Sequence, residues 1–157
     1  MVINSQVENI LWLLELNAVS KMRTFELRWE DVEEAVNYLA AFLKEQNIKY
    51  VAGVPRGGLI PAVMVSHQSG IPITTLDRLE SLEGISKEEV AIVDDISDSG
   101  VTLAPFITQG YTVVTLCHKF TCPIEVSSFK FQVQETDWVV FPWERKDAKQ
   151  IAGYLEI

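Results

Sequence analysis

The sequence has few cysteines and few histidines. It contains two of each among 157 residues. Beside Cys117 and Cys122 there is no second pair of ligands at zinc spacing, which argues against a zinc site. Cys117 ends an apolar segment, residues 113–117, so we expect it to be a buried structural thiol.

Basic residues are also scarce. The chain has 13 Lys and Arg against 22 Asp and Glu, a net charge of −9, whereas a broad nucleic-acid surface needs clustered Lys and Arg. No apolar run approaches the roughly 20 residues of a membrane span, and the N-terminus lacks the basic region of a signal peptide. We therefore expect no nucleic-acid partner, no membrane association and a cytoplasmic location.

Hydrophobic residues make up 48% of the chain, enough for one compact domain covering residues 1–157. Apolar periodicity predicts helices over residues 3–16, 30–46, 60–69 and 102–108. Short apolar runs predict strands over residues 50–54, 73–76, 90–93, 112–117, 129–133 and 138–140. This alternation indicates an α/β domain with a parallel sheet, preceded by an additional helix within residues 1–20.

The most informative segment is VAIVDDISDSGVT, residues 90–102. Its first four residues are typical of a buried strand, and ligands of parallel sheets bind beyond the carboxyl ends of the strands. Asp94 and Asp95 follow this run and point in different directions, because side chains alternate along a strand. Two carboxylates so close suit a diol, or a metal ion that bridges one.

The rest of this segment suits a phosphate. Ser99, Gly100 and Thr102 combine small hydroxyl side chains with open backbone N–H groups before the next predicted helix. Gly100 lets the backbone approach an anion closely. A capped turn would explain one or two of these polar residues, but not three carboxylates followed by Ser-Gly-x-Thr.

A second candidate loop, VPRGGLIP at residues 54–61, follows the first strand of the predicted sheet. Gly57 and Gly58 expose backbone N–H groups, and Arg56 adds a fork of donors suited to an oxygen-rich anion such as pyrophosphate. Alone, the same residues would equally make an ordinary turn. The acidic segment downstream favours the functional interpretation.

Residues 90–102 resemble the PRPP-binding motif of the type I phosphoribosyltransferases. This resemblance implies that the fold is a central parallel sheet flanked by helices, with a small C-terminal hood. It implies that Asp94 and Asp95 hold the ribose hydroxyls with Mg²⁺, and that the Arg56 loop contacts pyrophosphate through a cis peptide. The implied ribose and 5′-phosphate set is Asp94, Asp95, Asp98, Ser99, Gly100, Val101 and Thr102. Ser97 and Val101 depart from the usual family residues.

The C-terminal third resembles the xanthine-guanine branch, whose base-binding hood would cover about residues 118–144. There the resemblance implies that Lys119 reaches the purine 6-oxygen, that Trp138 stacks on the base and that Val139 offers main-chain groups. A core Trp138 and a solvated surface Lys119 are the alternatives. Asp98, typical of enzymes acting on 6-oxopurines, is the candidate general acid or base at purine N7.

The resemblance thus implies transfer of the phosphoribosyl group from PRPP to guanine, xanthine or hypoxanthine, with Mg²⁺ as cofactor and a homodimer or homotetramer as the assembly. Residues 77–89 would form a short closing loop, from which Arg78 could reach pyrophosphate. Two alternatives remain. One is a regulator of the same fold that binds PRPP or a nucleotide, and the other is a transferase with another acceptor, such as adenine or a nucleoside.

Overall fold

The computed structural model describes residues 5–19 and 23–144 of the chain, which form helices and strands in alternation. The helices are α1 (Ser5–Val19), α2 (Trp29–Glu45), α3 (Leu59–Ser69) and α4 (Ala104–Gln109). The strands are β1 (Arg23–Glu26), β2 (Tyr50–Gly53), β3 (Ile73–Thr74), β4 (Val90–Ser97), β5 (Thr112–Lys119), β6 (Ser128–Val133) and β7 (Asp137–Val140). Two short 3-10 helices, Leu76–Ser81 and Lys87–Glu89, connect β3 to β4.

The main sheet has five strands in the order β3-β2-β4-β5-β6, and all its pairings are parallel. The predicted α/β class with a central parallel sheet is therefore confirmed. β4 lies in the middle, and its first four residues are fully buried, as the continuous apolar run predicts for a strand covered on both faces.

Both faces of the sheet are covered, and alternate residues of β4 enter two separate apolar clusters. Ala91 and Val93 pack with the buried side chains of α2 and α3. In α2 the buried residues recur at the 3.6-residue period of a helix, so they lie on one face. Val90 and Ile92 pack in the second cluster, which also contains Leu103 before α4. The acidic residues of β4 are thus held at the end of a strand that is fixed from both sides.

A second sheet consists of the first and the last strand of the described chain. β1 and β7 pair in parallel, with Arg23 opposite Asp137 and Phe25 opposite Val139. The sequence did not predict β1. The hood region expected at about 118–144 is divided, because β6 pairs with β5 in the main sheet and β7 pairs with β1.

Several element boundaries differ from the predictions. β4 runs to Ser97 rather than Val93, because Ile96 and Ser97 pair with Cys117 and His118 of β5. The acidic pair therefore belongs to the strand itself. The strand predicted over residues 73–76 is limited to Ile73–Thr74, and α4 begins at Ala104, after a turn.

The predicted N-terminal helix is present as α1, and its described apolar side chains are exposed. Ile10, Leu11, Trp12, Leu13 and Leu14 each have more than half of their surface accessible. Within the described residues, no helix combines the length and hydrophobicity needed to cross a membrane.

Candidate active site

A cavity of about 600 Å³ lies where the ends of β2, β4 and β5 meet β7. Nine of the residues predicted from sequence line it, and they come from all three predicted subsites. They are Arg56, Gly57, Asp94, Asp95, Asp98, Thr102, Lys119, Trp138 and Val139. The fold therefore brings together side chains that are up to 83 positions apart in the chain, since Arg56 and Val139 share one cavity.

Gly58, predicted to contact pyrophosphate, does not line this cavity. Its backbone N–H donates to the carbonyl oxygen of Val54 at 2.9 Å. A Cβ at Gly58 would clash with the backbone of Val93 and Val54, so the absence of a side chain lets this loop pack against the sheet. The Pro55–Arg56 peptide bond is cis, and the Arg56 and Gly57 positions do face the cavity.

Ser99, Gly100 and Val101 also lie outside the cavity lining. They belong to the turn between β4 and α4, in which the Ser99 hydroxyl accepts a 3.4 Å hydrogen bond from Val101 N–H. Gly100 has a φ of +82°, and a Cβ there would press on the Ile124 side chain, so glycine is needed for two reasons. Their contact with a 5′-phosphate stays a prediction, whereas Thr102 reaches the cavity.

The adjacent carboxylates Asp94 and Asp95 are half-buried in β4. Asp94 Oδ1 accepts the Asp95 N–H at 2.9 Å, and Asp95 Oδ1 accepts the Ile96 N–H at 2.8 Å. Burial and the neighbouring charge of Asp95 raise the pKa of Asp94 to about 8. Burial also raises the pKa of Asp95. This site therefore resists two negative charges, which a bound cation would offset.

The pair fits a magnesium ion in its chemistry, because Mg²⁺ prefers oxygen ligands and is usually held by one or two carboxylates together with substrate oxygens. Among the described residues, no group of three or more His, Cys, Asp or Glu side chains is arranged to bind a metal by itself. Asp94 and Asp95 would accordingly hold the ion jointly with a ligand's oxygens.

Lys119 and Asp98 face each other across the ends of β5 and β4. Lys119 Nζ lies 3.5 Å from Asp98 Oδ2 and donates a 3.1 Å hydrogen bond to the carbonyl oxygen of Glu135. The Lys119 side chain is 13% exposed and that of Asp98 is 61% exposed. Lys119 is therefore held inside the cavity wall, which argues against the alternative of a freely solvated lysine.

Trp138 and Val139 enter the cavity from β7, whose first residue is firmly anchored. Asp137 is 5% exposed and accepts hydrogen bonds from Arg23 Nε at 3.3 Å and from Gln134 N–H at 3.1 Å. Trp138 is half-buried and Val139 is buried. The pairing of β7 with β1 fixes the strand that would carry the base-stacking indole.

Several residues that line the cavity were not predicted from the sequence. Asp137, Phe141, Trp143 and Glu144 belong to the segment that carried the resemblance, while Ile60 and Ile96 flank assigned residues. Phe141 and Trp143 stack at 4.9 Å between ring centroids. Burial, with the nearby charge of Asp95, raises the pKa of the Glu144 carboxyl. For Asp137, Phe141, Trp143 and Glu144 the available signal was their closeness to Trp138 in the sequence, and for Ile60 and Ile96 it was their closeness to assigned residues. Arg78, in contrast, lies on the first 3-10 helix and outside the lining.

This fold and this cavity define a type I phosphoribosyltransferase, and comparison with known proteins narrows the class. The chain is 34% identical to the purine phosphoribosyltransferase of Pyrococcus horikoshii, with a TM-score of 0.66, over 79% of this chain and 96% of that one. The chain belongs to the purine phosphoribosyltransferase family, whose members are pentosyltransferases. The predicted family, fold and enzyme class are confirmed.

Other relatives agree with this assignment. The chain is 27% identical to the xanthine-guanine phosphoribosyltransferase of Idiomarina loihiensis, over 78% of this chain and 88% of the relative. The xanthine-guanine-hypoxanthine phosphoribosyltransferase of Helicobacter pylori is 19% identical with a TM-score of 0.59, covering 83% of this chain and 99% of that one, and it supports the fold alone. No protein-family model matches the chain.

Proposed function

We propose that the protein transfers the 5-phosphoribosyl group of PRPP to a 6-oxopurine, namely guanine, xanthine or hypoxanthine, and releases pyrophosphate. The observation that carries this proposal is the 3.5 Å separation of Lys119 Nζ and Asp98 Oδ2 in one cavity wall. A 6-oxopurine presents O6 and N7 side by side on one edge of the base. An ammonium suits O6 as a donor, and a carboxylate suits a protonated N7 as an acceptor.

The same pair disfavours adenine as the acceptor. Adenine carries an amino group at position 6, and an amino group turns N–H donors toward its surroundings. Lys119 has three donors and no acceptor, so an amino group opposite its ammonium would leave donors facing each other. The regulator alternative would call for a basic surface or an added domain, and the net charge of −9 speaks against the first.

The base would lie against the indole of Trp138, which offers a flat apolar face inside the cavity. Val139, the next residue of the anchored β7, would bring backbone polar groups to the base edge. Because β7 is paired with β1, the backbone that carries the indole is already fixed before a base binds. This arrangement orients the purine with its O6 and N7 edge toward Lys119 and Asp98.

PRPP would occupy the half of the cavity lined by β2 and β4. Asp94 and Asp95 would accept hydrogen bonds from the ribose hydroxyls, and Arg56 would donate to pyrophosphate oxygens. Asp94 and Asp95 would hold a Mg²⁺ ion, whose chemistry would be to offset the negative charge of pyrophosphate. The raised pKa of Asp94, caused by burial and by the charge of Asp95, supports this ligand set, because a bound cation would offset the negative charge of the pair.

In the transfer step, purine N9 forms a bond to C1′ of the ribose while the bond from C1′ to the pyrophosphate oxygen breaks. The electron pair of the broken bond leaves with pyrophosphate. The proton on N7 passes to the Asp98 carboxylate, which keeps the base neutral as its new bond forms. Arg56 stabilises the developing negative charge on the leaving group through donors already in place.

The experiment that tests this function incubates purified protein with Mg²⁺, PRPP and one base at a time: guanine, xanthine, hypoxanthine or adenine. Formation of nucleoside monophosphate is measured by chromatography, beside an Asp98→Asn control. We expect product with at least one 6-oxopurine, little with adenine, and a rate lowered about 100-fold or more in the control. Absence of product with every base, despite measurable PRPP binding, would refute the function and favour a regulator or another acceptor.

Two further expectations accompany the proposal. A cytoplasmic location fits a substrate whose several negative charges keep it from crossing a lipid bilayer unaided. The homodimer or homotetramer implied by the resemblance is to be measured by size-exclusion chromatography with light scattering. A monomer in that measurement would refute the oligomer expectation and leave the transferase proposal standing.

A further inference from the structure

The last registered pair of β4 and β5 is Ser97 opposite His118. Ser97 is a polar residue that is 1% exposed. Its Oγ lies 2.6 Å from His118 Nδ1, 3.2 Å from Thr115 Oγ1 and 3.4 Å from the Cys117 carbonyl oxygen. Three possible partners surround one hydroxyl, and the shortest contact crosses between the ends of the two strands.

His118 is held on its other side as well. Its ring stacks on Phe129 of β6, with 4.7 Å between ring centroids and 22° between the planes. The imidazole therefore has little freedom to turn away from Ser97. The hydrogen bond and the stack together tie the carboxyl ends of β4 and β5 to Phe129, the second residue of β6.

Asp98 follows Ser97 in the chain, and Lys119 follows His118. Beyond Ser97 the chain leaves β4 and enters a turn, and no further registered pair joins the two strands. The separation of Asp98 and Lys119 is therefore set by the last cross-strand contact before them. An ion pair that is 61% exposed on the Asp98 side contributes little restraint of its own.

We infer that Ser97 and His118 are positioning residues, whose hydrogen bond fixes Asp98 and Lys119 at the separation that the O6 and N7 edge of the purine requires. The inference rests on the proposed function. We expect the pair to affect recognition of the base more than recognition of PRPP, because Arg56 reaches the cavity from the loop after β2 and the acidic pair lies earlier on β4.

The test compares steady-state kinetics of four single variants and one double variant with wild-type protein, varying the base and PRPP separately. Ser97→Ala and His118→Phe remove the hydrogen bond, and phenylalanine keeps a ring against Phe129. His118→Asn retains a polar atom near the Nδ1 position and serves as the conservative rescue. Thr115→Val is the matched control, since it removes a buried hydroxyl from the same cluster and leaves the Ser97–His118 contact intact.

We expect Ser97→Ala and His118→Phe each to raise KM for the base about five-fold or more, with KM for PRPP unchanged within about two-fold. His118→Asn should recover most of the loss, and Thr115→Val should lower thermal stability without moving KM for the base. The double variant Ser97→Ala/His118→Phe should be no worse than either single one, because both remove the same bond.

Two results would overturn the inference. One is a change in KM for the base, in Ser97→Ala and His118→Phe, that is no larger than the change in Thr115→Val. The other is an equal change, in those two variants, of the KM values for the base and for PRPP. If one of Ser97→Ala and His118→Phe does not fold, the other decides by the same comparison with Thr115→Val, because each of the two removes the hydrogen bond between Ser97 and His118. Wild-type protein that forms no nucleotide would instead refute the proposed function, which separates the two failures.

Discussion

Gly57 lies so close to the carboxylate of Asp95 that a Cβ on it would overlap the Asp95 side chain. The two residues come from the loop after β2 and from β4, which are neighbours in the sheet. This contact joins the loop that we propose to bind pyrophosphate to the acidic pair. The glycine is required at this position by space, since its φ lies outside the left-handed region.

Gly57→Ala should therefore displace the Asp95 carboxylate and weaken PRPP binding about ten-fold or more, with a small loss of stability, because a short side chain can swing aside. Isothermal titration with Mg²⁺ and PRPP measures this. Gly70→Asn is the matched control, because Gly70 caps α3 in the left-handed conformation with open space around it, and asparagine tolerates that conformation. Equal PRPP affinity in Gly57→Ala and wild type would contradict the contact's role.

Lys119→Met should raise KM for a 6-oxopurine roughly 10- to 100-fold, since it removes a charged donor and leaves the substrate oxygen without a partner. KM for PRPP should change little. Lys130→Met is the control, because Lys130 pairs with Glu34 and lies over the Tyr38 ring, away from the cavity lining. Matching kinetic changes in the two lysine variants would remove Lys119 from base recognition.

Asp94→Asn should stabilise the ligand-free protein and abolish tight PRPP binding. The pKa of Asp94 is raised to about 8, so its contribution to stability is present below the unfolded pKa and is lost as the pH rises through about 8. At pH 8.5 with a chelator, the neutral amide avoids this cost, and Tm should rise by about 2 to 4 °C. The exposed Asp77, whose pKa is lowered, provides the control: Asp77→Asn should not raise Tm. A lower Tm for Asp94→Asn would be inconsistent with a strained acidic pair.

His118 should make the protein less stable in mild acid. Burial lowers the pKa of its imidazole, with partial opposition from the Glu125 carboxylate. The folded state then binds fewer protons than the unfolded state below about pH 6.5, so stability is lost as the pH falls through the folded-state pKa. Urea unfolding at pH 7 and pH 5 measures this: the stability advantage of wild type over His118→Asn should shrink at pH 5. An advantage that grows at pH 5 would reverse the sign of the shift.

The local signals in the sequence account for the main sheet and for most of the site. The buried strand 90–93 and the polar residues after it locate the acidic pair, because apolar runs and turn residues act over short distances. β1 could not be predicted from the sequence, because its four residues are all exposed and show no apolar alternation. Its partner β7 also lies more than 100 positions away in the chain.

The extension of β4 to Ser97 has the same physical origin. Asp94, Asp95 and Ser97 are poor strand formers by composition, and pairing with β5 overrides that preference. The bonding of Ser97 to His118 likewise depends on a strand register that no local pattern specifies. Cys117, in contrast, is fully buried as its apolar segment predicts, and burial raises the pKa of its thiol to about 12.

The most direct test of the account is a competition between hypoxanthine and adenine in one vessel, with Mg²⁺, limiting PRPP and wild-type protein. The two bases differ at position 6, and the ratio of their nucleotide products equals the ratio of their kcat/KM values at equal concentration. We expect a large excess of the hypoxanthine nucleotide, and a ratio much closer to one in Lys119→Met. Comparable products from wild-type protein, or an excess of the adenine nucleotide, would contradict 6-oxopurine recognition by Lys119 and Asp98.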